Sequence, residues 1–142
     1  LLGYNAYVLE VVKSLSSIKP YHIKVESEDQ TIEGDYLYGM VSNTTSVGRF
    51  RNFPPGNPDL SDGLLEVTLI SPVRDVKDVE ELSRALLMTD PSILNSMLTT
   101  FPARKVKITA ANELLWTLDG EAGTLVVEIE AVHNAYTILH GK

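Results

Sequence analysis

The sequence predicts a mainly β protein, a two-sheet antiparallel β-sandwich with a helical excursion between its halves. Three observations carry that reading. Short runs in which apolar and polar residues alternate recur along the chain. Roughly the last forty residues divide into four such runs, separated by short polar or glycine-containing turns, as in an antiparallel meander. Between the two β-rich parts lies a segment whose apolar residues, Val76, Val79, Leu82 and Leu86, fall on one face of a helix.

The elements follow in order. Tyr4, Val8, Val11, Leu15 and Ile18 recur at helical spacing, and Lys19-Pro20 ends that first helix. The period then drops to 2: Tyr21, Ile23 and Val25 alternate with His22, Lys24 and Glu26, as in a half-buried strand. Glu28-Asp29 forms a turn, and one long strand is expected over residues 31–43. Residues 44–63 hold Gly48, Pro54, Pro55, Gly56, Pro58 and Gly63, which disfavour regular structure and suggest a functional loop. A strand over 64–70 precedes the helix that Asp75 caps, and a short helical stretch over 91–98 extends it. Strands over 105–110, 114–118, 124–130 and 135–139 complete the meander.

Composition narrows the function. The chain has 142 residues, one domain's worth, with 12 basic and 19 acidic side chains and a net charge of −7. Such a balance argues against nucleic acid as a partner, because neutralising phosphates takes a basic face. Without cysteine, disulfide scaffolds, zinc–thiolate sites and thiol nucleophiles are excluded. No signal peptide is recognisable, and no apolar run approaches the roughly 20 residues of a spanning helix, so a cytoplasmic protein is expected. The chain opens on Leu1-Leu2-Gly3-Tyr4, already inside a helical pattern, and reads as a domain cut from a longer protein.

Several motif matches fail on chemistry. Gly34 and Gly39 have the spacing of a phosphate loop, but Met40 and Val41 stand where lysine and a hydroxyl residue are needed. His22, His133 and His140 lack metal-ligand spacing and suit surface positions. Asn43-Thr44-Thr45 matches a glycosylation sequon, which means little without a secretory signal.

Two acidic loops remain. In Asn57-Pro58-Asp59-Leu60-Ser61-Asp62-Gly63-Leu64, the carboxylates of Asp59 and Asp62 can face one hard cation, with the Leu64 carbonyl and water completing its shell. The same residues also make an ordinary polar turn that caps local amides. In Thr117-Leu118-Asp119-Gly120-Glu121-Ala122-Gly123, the two carboxylates of Asp119 and Glu121 at a strand end can serve between them as general base and orienter for a hydroxyl. Asp-Gly is equally a hairpin turn.

The order GDYLYGMVSNTTSVG, a proline-rich loop, PDLSDGLLEVTLI and then LWTLDGEAG resembles the C-terminal domain of bacterial diacylglycerol kinase-like lipid kinases, of the diacylglycerol/sphingosine kinase superfamily. The likeness runs over roughly residues 18–136 and implies the β-sandwich of the NAD kinase/diacylglycerol kinase-like fold. It implies a two-domain parent that transfers the γ-phosphoryl group of ATP to a lipid hydroxyl such as that of diacylglycerol. The nucleotide would sit mainly on an N-terminal domain with a GGDGT motif, which this chain lacks. The chain would be the C-terminal domain over 1–142, with residues 1–18 a helix at the junction, inactive alone. By the same resemblance Glu121 stands where the proton acceptor does, with Asp119 beside it, while Asp59, Asp62 and the Leu64 carbonyl match a structural Mg2+ site. Gly48-Arg49 departs from a Gly-Gly found in many relatives.

This reading expects the two acidic loops to fold toward one another. The arginines and phenylalanines of Val47-Gly48-Arg49-Phe50-Arg51-Asn52-Phe53-Pro54-Pro55 suit three roles. They can dip Phe50 and Phe53 into a membrane surface, reach ATP phosphates through Arg49 or Arg51, or simply pack the loop on the sandwich. The partners expected are a lipid substrate at the membrane periphery, the chain's own N-terminal domain and, through open strand edges, a second copy in a homodimer. The rival reading is a non-catalytic β-sandwich that binds a lipid or a protein. The sequence does not choose the lipid alcohol.

Overall fold

Helix α1 (Leu2–Ser16) opens the computed structural model, which describes residues 2–47, 50–51, 58–87, 96–110, 114, 116–118, 121–123 and 126–135. Val8 and Val12 are fully buried on one side of the helix, with Val11 and Leu15 packed beside them. Past the last turn, Ser17 N–H and Ile18 N–H donate to the carbonyls of Ser14 and Leu15 before Pro20 prevents continuation.

The predicted alternation then builds β1 (Tyr21–Ser27), which buries Ile23 and Val25 and turns His22 outward. A turn at Glu28-Asp29, closed by Ser27 N–H donating to the Gln30 carbonyl, leads into β2 (Thr31–Tyr36). The single long strand expected over 31–43 is two. Leu37, itself buried, breaks it, and β3 (Tyr38–Ser42) continues in a different sheet. Leu37 N–H donates to the Ile70 carbonyl at 2.9 Å, which fixes the crossover. In the sequence the step shows as the triplet Tyr36-Leu37-Tyr38, where alternation breaks but no turn residue marks a strand end.

Within the long proline-rich segment, β4 (Ser46–Val47) and β5 (Phe50–Arg51) pair as a small hairpin. Strand β6 (Leu65–Ile70) follows, then helix α2 (Val76–Leu87), β7 (Leu98–Ala103), β8 (Lys105–Ala110), β9 (Thr117–Leu118), β10 (Glu121–Ala122) and β11 (Val126–Glu130). Strand β7 corrects the expected helix at Leu98; residues 91–95 of that expectation lie outside the described residues. Pro102 hid the strand in the sequence, and it is tolerated because β7 is an edge strand. Of the strand expected over 114–118, residues 117–118 are extended and paired, 114 and 116 are irregular, and 115 lies outside the described residues; of that over 135–139, Ala135 is irregular and the rest lies outside the described residues.

Asp75 caps α2 as predicted, its Oδ1 accepting from the amides of Lys77 (2.8 Å) and Asp78 (3.0 Å). Leu82 and Leu86 are buried, but Val76, read from the pattern as part of the apolar face, is exposed.

The sheets are β11-β8-β1-β2 and β3-β6-β7, antiparallel throughout, and they face one another as a sandwich. Ile23, Val25, Val106, Ile108 and Ala110 from the first sheet meet Val67, Leu69, Phe101 and Ala103 from the second in one core. A second core lies on the far side of the smaller sheet, where Ile70 meets Val8, Val12, Leu82, Leu86 and Met97. Strand β6 is therefore covered on both faces, and its residues 66–70 are all buried.

Candidate functional site

The acidic loop leading into β6 is ordered by its own side chains. Asp59 Oδ1 accepts from the amide and the hydroxyl of Ser61 at 2.9 and 2.7 Å, and Asp62 Oδ1 accepts from Leu64 N–H at 2.8 Å. The Ser61 hydroxyl, then the Ser61 amide, hold the Asp59 carboxyl below its ordinary range. Gly63 between them has φ +77°, a left-handed conformation that glycine adopts without strain. From the other side, Asn43 Nδ2 donates to the Leu60 carbonyl at 3.3 Å.

Just inside the loop lies a residue that the sequence reading passed over. Glu66 is 6% exposed, its Oε2 is buried without a hydrogen-bond partner, and its cross-strand neighbour Ser42 likewise has an unpartnered buried hydroxyl. Burial, and next the charge of Asp62, push the Glu66 carboxyl up. The local excess of carboxylate oxygen fits a hard cation. Among the described residues no group of three or more histidine, cysteine or acidic side chains converges as a metal cluster, and the Oδ1 atoms of Asp59 and Asp62 are each engaged by groups of their own loop. An acid inside the apolar run Leu64-Leu65-Glu66-Val67 was the available signal for Glu66.

The second loop is the β9–β10 hairpin, with Glu121 opposite Leu118 and Ala122 opposite Thr117. The Glu121 side chain is exposed and makes no hydrogen bond or ion pair among the described residues. Gly123 closes the hairpin by donating to the Trp116 carbonyl at 3.0 Å. A Cβ there would sit 2.9 Å from Trp116 Cβ, so the two segments approach as only glycine allows.

The hairpin forms part of the wall of an apolar cavity of about 600 Å³ between the two sheets. Tyr21, Tyr36 and Tyr38 line it from the crossover side, Leu69 from the smaller sheet, and Trp116 and Leu118 from the hairpin segment. Leu118 is 69% exposed, which leaves an apolar rim next to Glu121 in register. A volume of this size is typical of small-molecule sites.

The strand register separates the two loops. Leu65, which follows the acidic loop, pairs with Ala103, one residue before the corner that starts β8 at Lys105. The Glu121 hairpin departs from the other end of β8, beyond Ala110. The loops therefore hang from opposite ends of a six-residue strand, about 17 Å apart along it, and no hydrogen bond or ion pair among the described residues joins them. The expectation that they fold toward one another is not met, because both are tethered to the ends of a rigid sandwich. Asp119, Arg49 and Phe53 lie outside the described residues; Phe50 and Arg51 are described only as backbone in β5.

With this geometry, comparison with known proteins is decisive. The family described as the YegS C-terminal NAD kinase beta sandwich-like domain matches residues 1–140. The chain belongs to that family. Its likeness to individual YegS C-terminal domain relatives is more distant. It is 25% identical over 126 residues to the diacylglycerol kinase of Bacillus subtilis (strain 168), covering 89% of this chain and 41% of that protein. It is 30% identical over 69 residues to the "Probable lipid kinase YegS-like" protein of Shewanella frigidimarina (strain NCIMB 400), covering 49% of this chain and 22% of the other. A solved diacylglycerol kinase structure from Bacillus anthracis str. Sterne superposes with a TM-score of 0.67 at 18% identity, over 88% of this chain and 44% of that one. The sandwich predicted from the sequence is thus the fold of the diacylglycerol kinase-like C-terminal domain, and the chain spans less than half the length of these relatives.

Proposed function

We propose that this domain is the C-terminal part of an ATP-dependent lipid kinase that phosphorylates a lipid hydroxyl such as that of diacylglycerol. The observation that carries the proposal is the apolar cavity between the sheets, with the exposed Glu121 on the hairpin that walls it. A cavity lined by tyrosines, Trp116 and aliphatic side chains suits a lipid's hydrocarbon, while its hydroxyl would remain at the rim. Phosphoryl transfer demands positioning, charge neutralisation and a group that takes the hydroxyl proton. Glu121 fills the last role when the hydroxyl comes within about 2.6–3.2 Å of it. Asp119 is proposed to orient it, and Arg49 or Arg51 to meet the nucleotide phosphates supplied with an N-terminal domain.

The Asp59 and Asp62 carboxylates and the Leu64 carbonyl are proposed to hold Mg2+. Such an ion would neutralise the carboxylates around the start of β6 and stiffen the loop. Because that loop hangs from the far end of β8, no step of the transfer is assigned to it.

The test is Glu121→Gln in the full kinase, assayed by labelled phosphate transfer to a panel of lipid alcohols. Turnover is expected to fall by about 10²–10⁴-fold, the usual scale of general-base catalysis, with lipid binding retained. Near-normal turnover would remove Glu121 from the mechanism. The cavity alone also suits a non-catalytic lipid-binding module, which lipid retention with no transfer by the unaltered full-length protein would favour.

A further inference from the structure

We propose that His133 is a positioning residue for the 59–64 loop. It braces Gly63 by packing, so that the oxygen donors of Asp62 and Leu64 are set before a cation arrives. This inference rests on the cation-site reading above and adds a residue from the other end of the sequence.

The contact is close. A Cβ on Gly63 would lie 3.0 Å from His133 Cβ, 3.1 Å from its Cγ and 3.4 Å from its Cδ2, so the histidine side chain occupies the space beside the Gly63 Cα. Gly63 is the hinge of the loop. It has a left-handed φ, stands between Asp62 and Leu64, and is spanned by the bond from Leu64 N–H to Asp62 Oδ1. The histidine is fixed by its own turn, where Ala131 N–H donates to the Arg104 carbonyl at 2.8 Å and Asn134 adopts φ +57°. Asn43 holds the loop's other flank through the Leu60 carbonyl.

His133 is exposed, so burial in a core does not account for its position. Nor is it part of a converging set of metal-binding side chains among the described residues. What it supplies is bulk against the hinge. A loop free to sample other conformations must be ordered when the ion binds, which weakens binding; a loop held in shape beforehand avoids that loss.

The experiment titrates Mg2+ alone, without nucleotide, into the full-length protein by calorimetry, for the wild type, His133→Ala and His133→Leu, alongside hydrogen exchange at the Leu64 amide. His133→Ala is expected to bind about ten-fold more weakly, the scale seen when residues that support metal ligands are removed, and to exchange the Leu64 amide faster. His133→Leu, which keeps Cβ and Cγ, should restore both. Wild-type affinity in His133→Ala would overturn the proposal, as would a leucine variant as weak as the alanine one, since the imidazole itself would then be required. If the wild type binds no Mg2+, the cation-site reading fails and this inference with it. Leu64 exchange then reports the brace separately, and an unchanged rate in His133→Ala would remove the packing contact as well.

Discussion

His22 shows how strand register turns an ordinary histidine into a charge-sensing one. Its Nδ1 lies 2.8 Å from Asp35 and its Nε2 3.3 Å from Glu33, both on the neighbouring strand. The hydrogen bond with Asp35, followed by that with Glu33, raises its pKa above the ordinary value. Because the folded pKa is the higher one, the pair's stabilising effect is complete below the unfolded value of about 6.5 and is lost as the pH rises through the folded value. An NMR titration should place the His22 midpoint above that of a free histidine, and Asp35→Asn should bring it down. A midpoint indifferent to that change would mean that Asp35 does not sustain the charge. The sequence offered a histidine alternating with apolar residues; which acids stand beside it depended on the pairing of two strands.

Helix α2 was legible almost entirely from local chemistry. Asp75 ahead of an apolar stripe is a capping signal, and the structure uses it in that way, with the Arg74 amide bonded back to Asp78 Oδ2 at 2.8 Å. Replacing Asp75 with alanine leaves the first-turn amides unsatisfied and should cost about 0.5–2 kcal/mol, measured as a shift in the urea midpoint at constant slope. The elements that were missed failed for identifiable reasons. Strand β7 contains a proline that an edge position forgives, and β2 and β3 read as one strand because no turn residue separates them at Tyr36-Leu37-Tyr38. The β9–β10 hairpin was foreseen as a turn, but its tight seat of Gly123 on Trp116 depends on where two chain segments meet.

For the whole molecule, stability rests on β6, the strand shared by both cores. Leu69, 1% exposed, lies between the sheets and also helps to wall the cavity, while Ile70 packs among the helices. Leu69→Ala should therefore destabilise the domain by about 2–5 kcal/mol in denaturant unfolding. A loss below about 1 kcal/mol would show that the sandwich core does not depend on this strand.

The fold class, the two helices, the cap on α2 and the two acidic loops could all be read from the amino-acid order. Each is written in local periodicity, turn residues and charge, which act over a few positions. It took the folded molecule to show that the loops belong to opposite ends of the sandwich, that the hairpin carrying Glu121 walls an apolar cavity through Thr117, Leu118 and Gly123, and that His133 rests on Gly63. Those facts depend on strand order and on contacts between residues far apart along the chain, and no local pattern encodes which distant partner will arrive.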